Sequence, residues 1–218
     1  VSVLGWYEDE QTEYRNAMLS QYSDHFLRDG FVIELFGLSP AFSGPLVPGF
    51  GVEHKRGARD LARTSGIAAV VRDDGALGRV RRNRRGEKVI EYSLDAQGRA
   101  RVRSALKTLS EIALASGAHK VTLSTLTRPT EVASPADLRK LDDVPLGPTD
   151  VSFVSYHPQG TARLGVVTDF DGAVRGTRDL YVMDASLFPS PVGVNTQEPV
   201  MAVATVLARR LAARLAQG

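Results

Sequence analysis

Residues 67–94 read IAAVVRDDGALGRVRRNRRGEKVIEYSL, and this stretch sets the expected fold class. It contains three short predicted strands, at 67–71, 77–82 and 89–94, separated by the turn sequences DDG and NRRG. Strands that follow one another so closely, with tight turns between them, pair in antiparallel fashion. The stretch therefore predicts a three-stranded antiparallel meander.

Two amphipathic helices are predicted on the C-terminal side of this meander, and further helices and strands are predicted elsewhere in the chain. Between Arg99 and Ala115, apolar residues recur at every third or fourth position, and Gly117 follows, which is typical of an amphipathic helix and its end. A last helix is predicted after Thr196, which is placed to cap it. The same reasoning predicts further strands at 31–36, 121–126, 151–156 and 180–184, and shorter helices at 10–18, 54–63 and 135–141. Together these elements predict an α+β fold.

The composition excludes several classes of protein. The chain has 218 residues, of which 43% are hydrophobic and 24% charged, as in ordinary globular proteins. It has no cysteine, which excludes disulfide scaffolds, thiolate metal sites and thiol catalysis. No apolar run approaches the roughly 20 residues of a membrane-spanning helix. We expect neither a metal nor a signal peptide, and a cytoplasmic location, although the first residues are typical of the middle of a longer chain.

A run of basic residues lies on the predicted hairpin whose turn is NRRG. Its six cations are Arg79, Arg81, Arg82, Arg84, Arg85 and Lys88. Such a run could bind the phosphates of a nucleic acid, but no aromatic residues alternate with it for base stacking. Since the formal net charge of the whole chain is only +2, a solvated hairpin is the favoured interpretation, and no nucleic-acid partner is expected.

One of the four histidines has surroundings that suit chemistry. His157 follows the predicted strand at 151–156 and precedes a turn at Gly160. A histidine at the end of a strand, beside a glycine turn, can approach a ligand closely, and imidazole exchanges protons near neutral pH. The residues alone leave two alternatives open, a catalytic base and an ordinary histidine at the edge of the core.

Three segments in order resemble the C-terminal motifs of the glucose–methanol–choline (GMC) flavin oxidoreductases. YHPQGTARLG at 156–165 is similar to the active-site histidine motif of that family. LYVMDASLFP at 180–189 and SPVGVNTQEPVM at 190–201 are similar to its second and third motifs. The tyrosine before the histidine and the GVN turn resemble the cholesterol-oxidase branch. The strong part of the resemblance covers residues 151–218.

The resemblance implies oxidation of a small-molecule alcohol by hydride transfer to FAD. His157 would take the hydroxyl proton, and Asn195 would form a hydrogen bond to the same oxygen. The residues that it implies for cofactor binding are Asp184, Ala185, Asn195, Thr196 and Gln197. Residues 1–150 would form the substrate-binding (cap) region, an antiparallel sheet with helices, and residues 151–218 would be the C-terminal segment of a flavin-binding α/β domain.

The sequence departs from the family pattern in two places. The family usually has Asn-Pro where this chain has Asn195-Thr196, and the pyrophosphate-binding GxGxxG motif of the family is absent. We therefore expect that this chain alone holds no tightly bound FAD and that an N-terminal flavin-binding chain or segment is its partner. A fragment, a cleavage product and a separate subunit are open alternatives, as is a non-catalytic binding or scaffold module that has lost the flavin-binding half.

Overall fold

The computed structural model divides the chain into two compact units. It describes residues 1–12, 19, 21–36, 44–75, 78–123, 125, 130–147 and 150–217. The first unit comprises Val1–Leu77 and Ser93–Val154, and the second comprises Gly78–Tyr92 and Ser155–Gly218. None of the helices in the described part of the chain has the length and apolar character to span a bilayer.

The first unit is built on a six-stranded antiparallel sheet with the strand order β2-β3-β4-β1-β7-β8. The described residues contain the strands β1 (Ser2–Trp6), β2 (Gln21–Ser23), β3 (Phe31–Phe36), β4 (Thr64–Val71), β5 (Arg79–Arg82), β6 (Lys88–Glu91), β7 (Lys120–Leu123) and β8 (Glu131–Val132). The α-helices are α1 (Val52–Arg59), α2 (Ala96–Ala115) and α3 (Gln197–Leu215). An α+β fold with an antiparallel sheet is therefore confirmed.

Helix α2 forms the core of the first unit by packing on β1 and β4. Asp95 begins the helix as its N-cap, because the side chain accepts a hydrogen bond from the backbone N–H of Gly98 at 2.7 Å. Most of the apolar face predicted from the sequence is buried, with Leu106 and Leu109 fully shielded from solvent, but Ile112, predicted on the same face, is exposed. The same cluster of buried side chains contains residues of the strands, among them Val3.

The predicted meander is wrong in its pairing. Strand β4 pairs with β1 and β3, whereas β5 and β6 form a separate two-stranded sheet. Both edges of β4 are therefore already occupied, and β5 has no edge of β4 to join. Strand β1, which the sequence analysis left unassigned, lies at the centre of the large sheet between β4 and β7.

Two predicted strands in the C-terminal part are also wrong. In the predicted strand at 151–156, only Val151 pairs, through a single bridge to Thr125. In the predicted strand at 180–184, only Tyr181 pairs, through a single bridge to Ala173. Both segments are rich in apolar residues, but within the part of the chain that the structure describes neither has a neighbouring strand with which to form a ladder.

The shorter helices follow the prediction more closely. The helix predicted at 54–63 is α1 followed by a 3-10 turn at Leu61–Arg63. The one predicted at 135–141 is a 3-10 helix, Pro135–Asp142, with Ser134 at its N-cap position. Most of the helix predicted at 10–18 lies outside the described residues.

We predict that Leu109→Ala destabilises the protein by about 3 kcal/mol, because it leaves a cavity where the side chain is fully buried. Ile112→Ala, on the same helix but 38% exposed, is the matched control and is expected to cost about 1 kcal/mol or less. Urea unfolding followed by circular dichroism measures both. Equal losses in the two variants would contradict the assignment of the buried face.

Candidate functional site

The second unit contains a cleft of about 480 Å³. This volume lies in the range of small-molecule sites, about 300–1,000 Å³. The residues that line it are Tyr156, His157, Pro158, Gln159, Thr161, Asp184, Ala185, Ser186 and Thr196. They come from the three quoted motifs, so the fold brings these motifs together around one space.

His157 lies half-buried in a bend of the chain and not at the end of a strand. The chain reverses after it at Gly160, whose φ of +87° is readily adopted only by glycine. Beyond the turn, Ala162 N–H donates to the carbonyl of Ser186 at 2.9 Å, and Leu164 N–H donates to that of Leu187 at 3.0 Å. These two bonds hold the histidine loop against the second motif.

Asp184 begins a single 3-10 turn, Ala185–Leu187. Its Oδ1 accepts hydrogen bonds from the backbone N–H of Ser186 at 2.8 Å and from the hydroxyl of the same residue. Leu187 anchors the turn because its side chain is fully buried. Both bonds to the exposed carboxylate use Oδ1, so its other oxygen, Oδ2, can accept a bond from a hydroxyl group of a ligand.

Thr196 occupies the N-cap position of α3 at the same cleft. It is only 3% exposed, and its backbone carbonyl accepts the first helical bond, from Val200 N–H at 2.9 Å. The prediction that its side chain caps the helix is wrong, since the hydroxyl forms no capping bond. The N–H groups at the start of α3 therefore donate no hydrogen bond to the side chain of the cap residue.

The structure brings together only some of the predicted site residues. His157, Asp184, Ala185 and Thr196 line the cleft. Asn195 and Gln197, on either side of Thr196, are exposed and are not among the lining residues. Their predicted roles remain predictions.

Other residues of the cleft were not predicted as site residues. Gln159, Thr161 and Ser186 all lie within the quoted motifs, close in sequence to His157 or Asp184. That proximity is the signal that could have identified them. Among the described residues, no group of three or more histidine, aspartate and glutamate side chains is arranged to hold a metal ion.

The loop at 169–174 holds α3 in place. Gly172 has a φ of +81°, and a Cβ atom there would lie 2.7 Å from the carbonyl oxygen of Val182 and 3.3 Å from Leu207 Cδ1 on the helix. Asp171, in the same loop, lies 3.5 Å from Arg210 and 3.7 Å from Arg214, both on α3. The close contact between the Gly172 backbone and α3, together with these ion pairs, fixes the position of the helix that has Thr196 as its N-cap.

We predict that Gly172→Ala destabilises the protein by about 3 kcal/mol or more, because the new methyl group collides with the carbonyl of Val182. Gly176→Ala is the matched control, since Gly176 also has a positive φ, +77°, but open space around it. The control should cost only the backbone strain, about 1 kcal/mol. Urea unfolding measures both, and equal losses would show that the crowding at Gly172 has no effect.

Comparison with known proteins gives a consistent family assignment. The family described as GMC oxidoreductase matches residues 73–204. An uncharacterised GMC-type oxidoreductase of Mycobacterium tuberculosis is 30% identical over 221 residues, which cover 98% of this chain and 34% of the relative. A long-chain-alcohol oxidase of Arabidopsis thaliana is 26% identical over 204 residues, covering 86% of this chain and 27% of the oxidase.

A shorter match is confined to about a quarter of the chain. The oxygen-dependent choline dehydrogenase of Chromohalobacter salexigens is 41% identical over 64 residues, covering 28% of this chain and 12% of that protein. The chain spans about a third of the length of the Mycobacterium relative, which it matches almost from end to end. Because the family match extends over more than half of the sequence, this chain belongs to the GMC family of oxidoreductases.

Proposed function

We propose that the chain is the C-terminal part of an enzyme that oxidises the CH–OH group of an alcohol with FAD as its cofactor. The observation that carries this proposal is the cleft that joins His157, Asp184 and the start of α3. Two kinds of relative support it, since one is named a long-chain-alcohol oxidase and another a choline dehydrogenase. GMC oxidoreductases are in general FAD-dependent.

The donors and acceptors of the cleft fit this cofactor. The uncapped N–H groups of α3 lie at the positive end of the helix dipole, which suits the carbonyl oxygens of a flavin ring. The Oδ2 atom of Asp184 suits a ribityl hydroxyl, and Ala185, next to it in the chain, also lines the cleft. Asp184, Ala185 and Thr196 would hold FAD, with Asn195 and Gln197 next to them. When bound, FAD would accept the hydride that leaves the alcohol carbon.

His157 would act as the general base. A neutral imidazole nitrogen facing the cleft can accept the proton of the substrate hydroxyl, which makes loss of hydride from the adjacent carbon easier. The two bonds that hold its loop against residues 186–187 restrict the position of the ring. Asn195 directly precedes Thr196 and is exposed, so its amide can turn toward a bound alcohol and donate a hydrogen bond to the same oxygen.

We also propose which segments of the chain bind the substrate and the flavin. We assign residues 1–150 to substrate binding and residues 151–218 to completion of the flavin site. Binding of the FAD pyrophosphate is assigned to an N-terminal flavin-binding segment or chain, since this sequence lacks GxGxxG. We also propose membership of the cholesterol-oxidase branch, a cytoplasmic location and no nucleic-acid partner.

We predict that His157→Ala, made in the complete flavin-containing protein, lowers turnover by at least about 100-fold, because the general base is lost. Flavin content should stay close to that of the unmodified protein. His119→Ala, which replaces an exposed histidine of the first unit, is the control and should leave turnover unchanged. Nearly normal turnover in flavin-replete His157→Ala would show that His157 is not the base.

We predict that Asn195→Asp slows flavin reduction by roughly 100-fold while the melting temperature changes by only a few degrees. Aspartate suits a turn or a helix start as well as asparagine does, so stability is kept. A carboxylate lacks the amide donor and places negative charge beside the oxygen that loses its proton. Anaerobic stopped-flow reduction and a thermal melt of the same sample test this. If neither quantity changes, Asn195 is a turn residue only.

A further inference from the structure

Gln159, which lines the cleft, carries a buried acceptor atom without a hydrogen-bond partner. Its Oε1 atom is shielded from solvent and forms no hydrogen bond. Among the described residues, one other buried polar side-chain atom lacks a hydrogen bond, Arg72 Nε, but this atom lies 3.0 Å from the carboxylate of Asp74. A buried, unpaired carbonyl oxygen is destabilising, so a donor that reaches it gains binding free energy.

The amide of Gln159 is only weakly held in its present orientation. Its Nε2 donates to the carbonyl of His157 at 3.5 Å, the upper limit of a hydrogen bond. The last torsion of a glutamine side chain has a broad, shallow energy profile. The amide can therefore turn toward a ligand in the cleft at small cost.

We propose that Gln159 recognises the imide edge of the flavin, with Oε1 accepting a hydrogen bond from the N3–H group. This inference rests on the proposed function. Oxidised isoalloxazine has one N–H group, at N3, between the carbonyl oxygens O2 and O4. Gln159 lines the same cleft as Thr196, at the start of α3, whose N–H groups suit a flavin carbonyl. An alcohol hydroxyl is the other available donor, but its proton is assigned to His157.

A side-chain amide complements an imide at two points. While Oε1 accepts from N3–H, Nε2 can donate to the carbonyl next to it. Gln159 would thus bind and orient the ring, two residues along the chain from the base that acts on the substrate. Its role is in cofactor recognition and is separate from the proton transfer at His157.

The test uses the apoprotein of the complete enzyme, reconstituted with FAD or with 3-methyl-FAD, which lacks the N3–H donor. Quenching of flavin fluorescence gives the dissociation constants. We expect the unmodified protein to bind FAD at least about 10-fold more tightly than 3-methyl-FAD. In Gln159→Leu, FAD should bind about 10-fold more weakly, and the two flavins should bind within about 2-fold of each other. Gln97→Leu, an exposed glutamine of α2, is the matched control and should keep the original ratio.

Several outcomes would overturn the proposal. Equal binding of the two flavins by the unmodified protein contradicts it without any variant. Gln159→Met, which also removes the amide, is measured in parallel with Gln159→Leu. If either variant keeps the original ratio of the dissociation constants for the two flavins, the proposal is contradicted as well. If the unmodified protein binds neither flavin, the proposed function fails and the inference fails with it. If the variants bind FAD and keep the original ratio of the two dissociation constants, the role of Gln159 is contradicted but the proposed function is not.

Discussion

Two backbone hydrogen bonds, from Ala162 to Ser186 and from Leu164 to Leu187, carry the organisation of the candidate site. The chain between residues 155 and 196 has no β-ladder and only one 3-10 turn, so regular secondary structure does not fix its path. These bonds connect the loop that begins at His157 with the turn that begins at Asp184. Both His157 and Asp184 line the cleft that these two segments form together.

The position of α3 depends on contacts of a different kind. The ion pairs of Asp171 with Arg210 and Arg214 are at the surface, where each contributes at most about 1 kcal/mol. Burial of Leu207 against the backbone at Gly172 is the stronger contact, because a side chain of this size contributes about 2 kcal/mol when buried. The same packing that stabilises the helix therefore also holds Thr196, at its N-cap position, at the cleft that contains His157.

Much of the regular structure could be predicted from the sequence because its signals are local. The spacing of apolar residues gave α2, and compact apolar segments gave β3 and β4. Strand β1 was missed because its partners, β4 and β7, lie far along the chain and no local turn indicates the pairing. For the same reason, the turn signals near β5 suggested a meander that the sheet does not form.

Only part of the candidate site could be predicted from the sequence. His157 and Asp184 were found because whole motifs resemble a family, and both line the cleft. The burial of Gln159 Oε1 and the missing cap bond of Thr196 depend on tertiary packing, which no spacing of residues encodes. The exposed positions of Asn195 and Gln197 were equally invisible in the sequence.

We propose that this cleft serves the oxidation of an alcohol by a bound flavin. The most direct measurement is anaerobic addition of primary alcohols, with and without deuterium on the carbinol carbon, to the complete flavin-containing protein. We expect at least one class of alcohol to bleach the visible flavin band. The deuterated compound should bleach it more slowly, because the C–H bond of the carbinol carbon is broken when the flavin is reduced. If dithionite bleaches the flavin but no alcohol does, the proposed alcohol oxidation is contradicted.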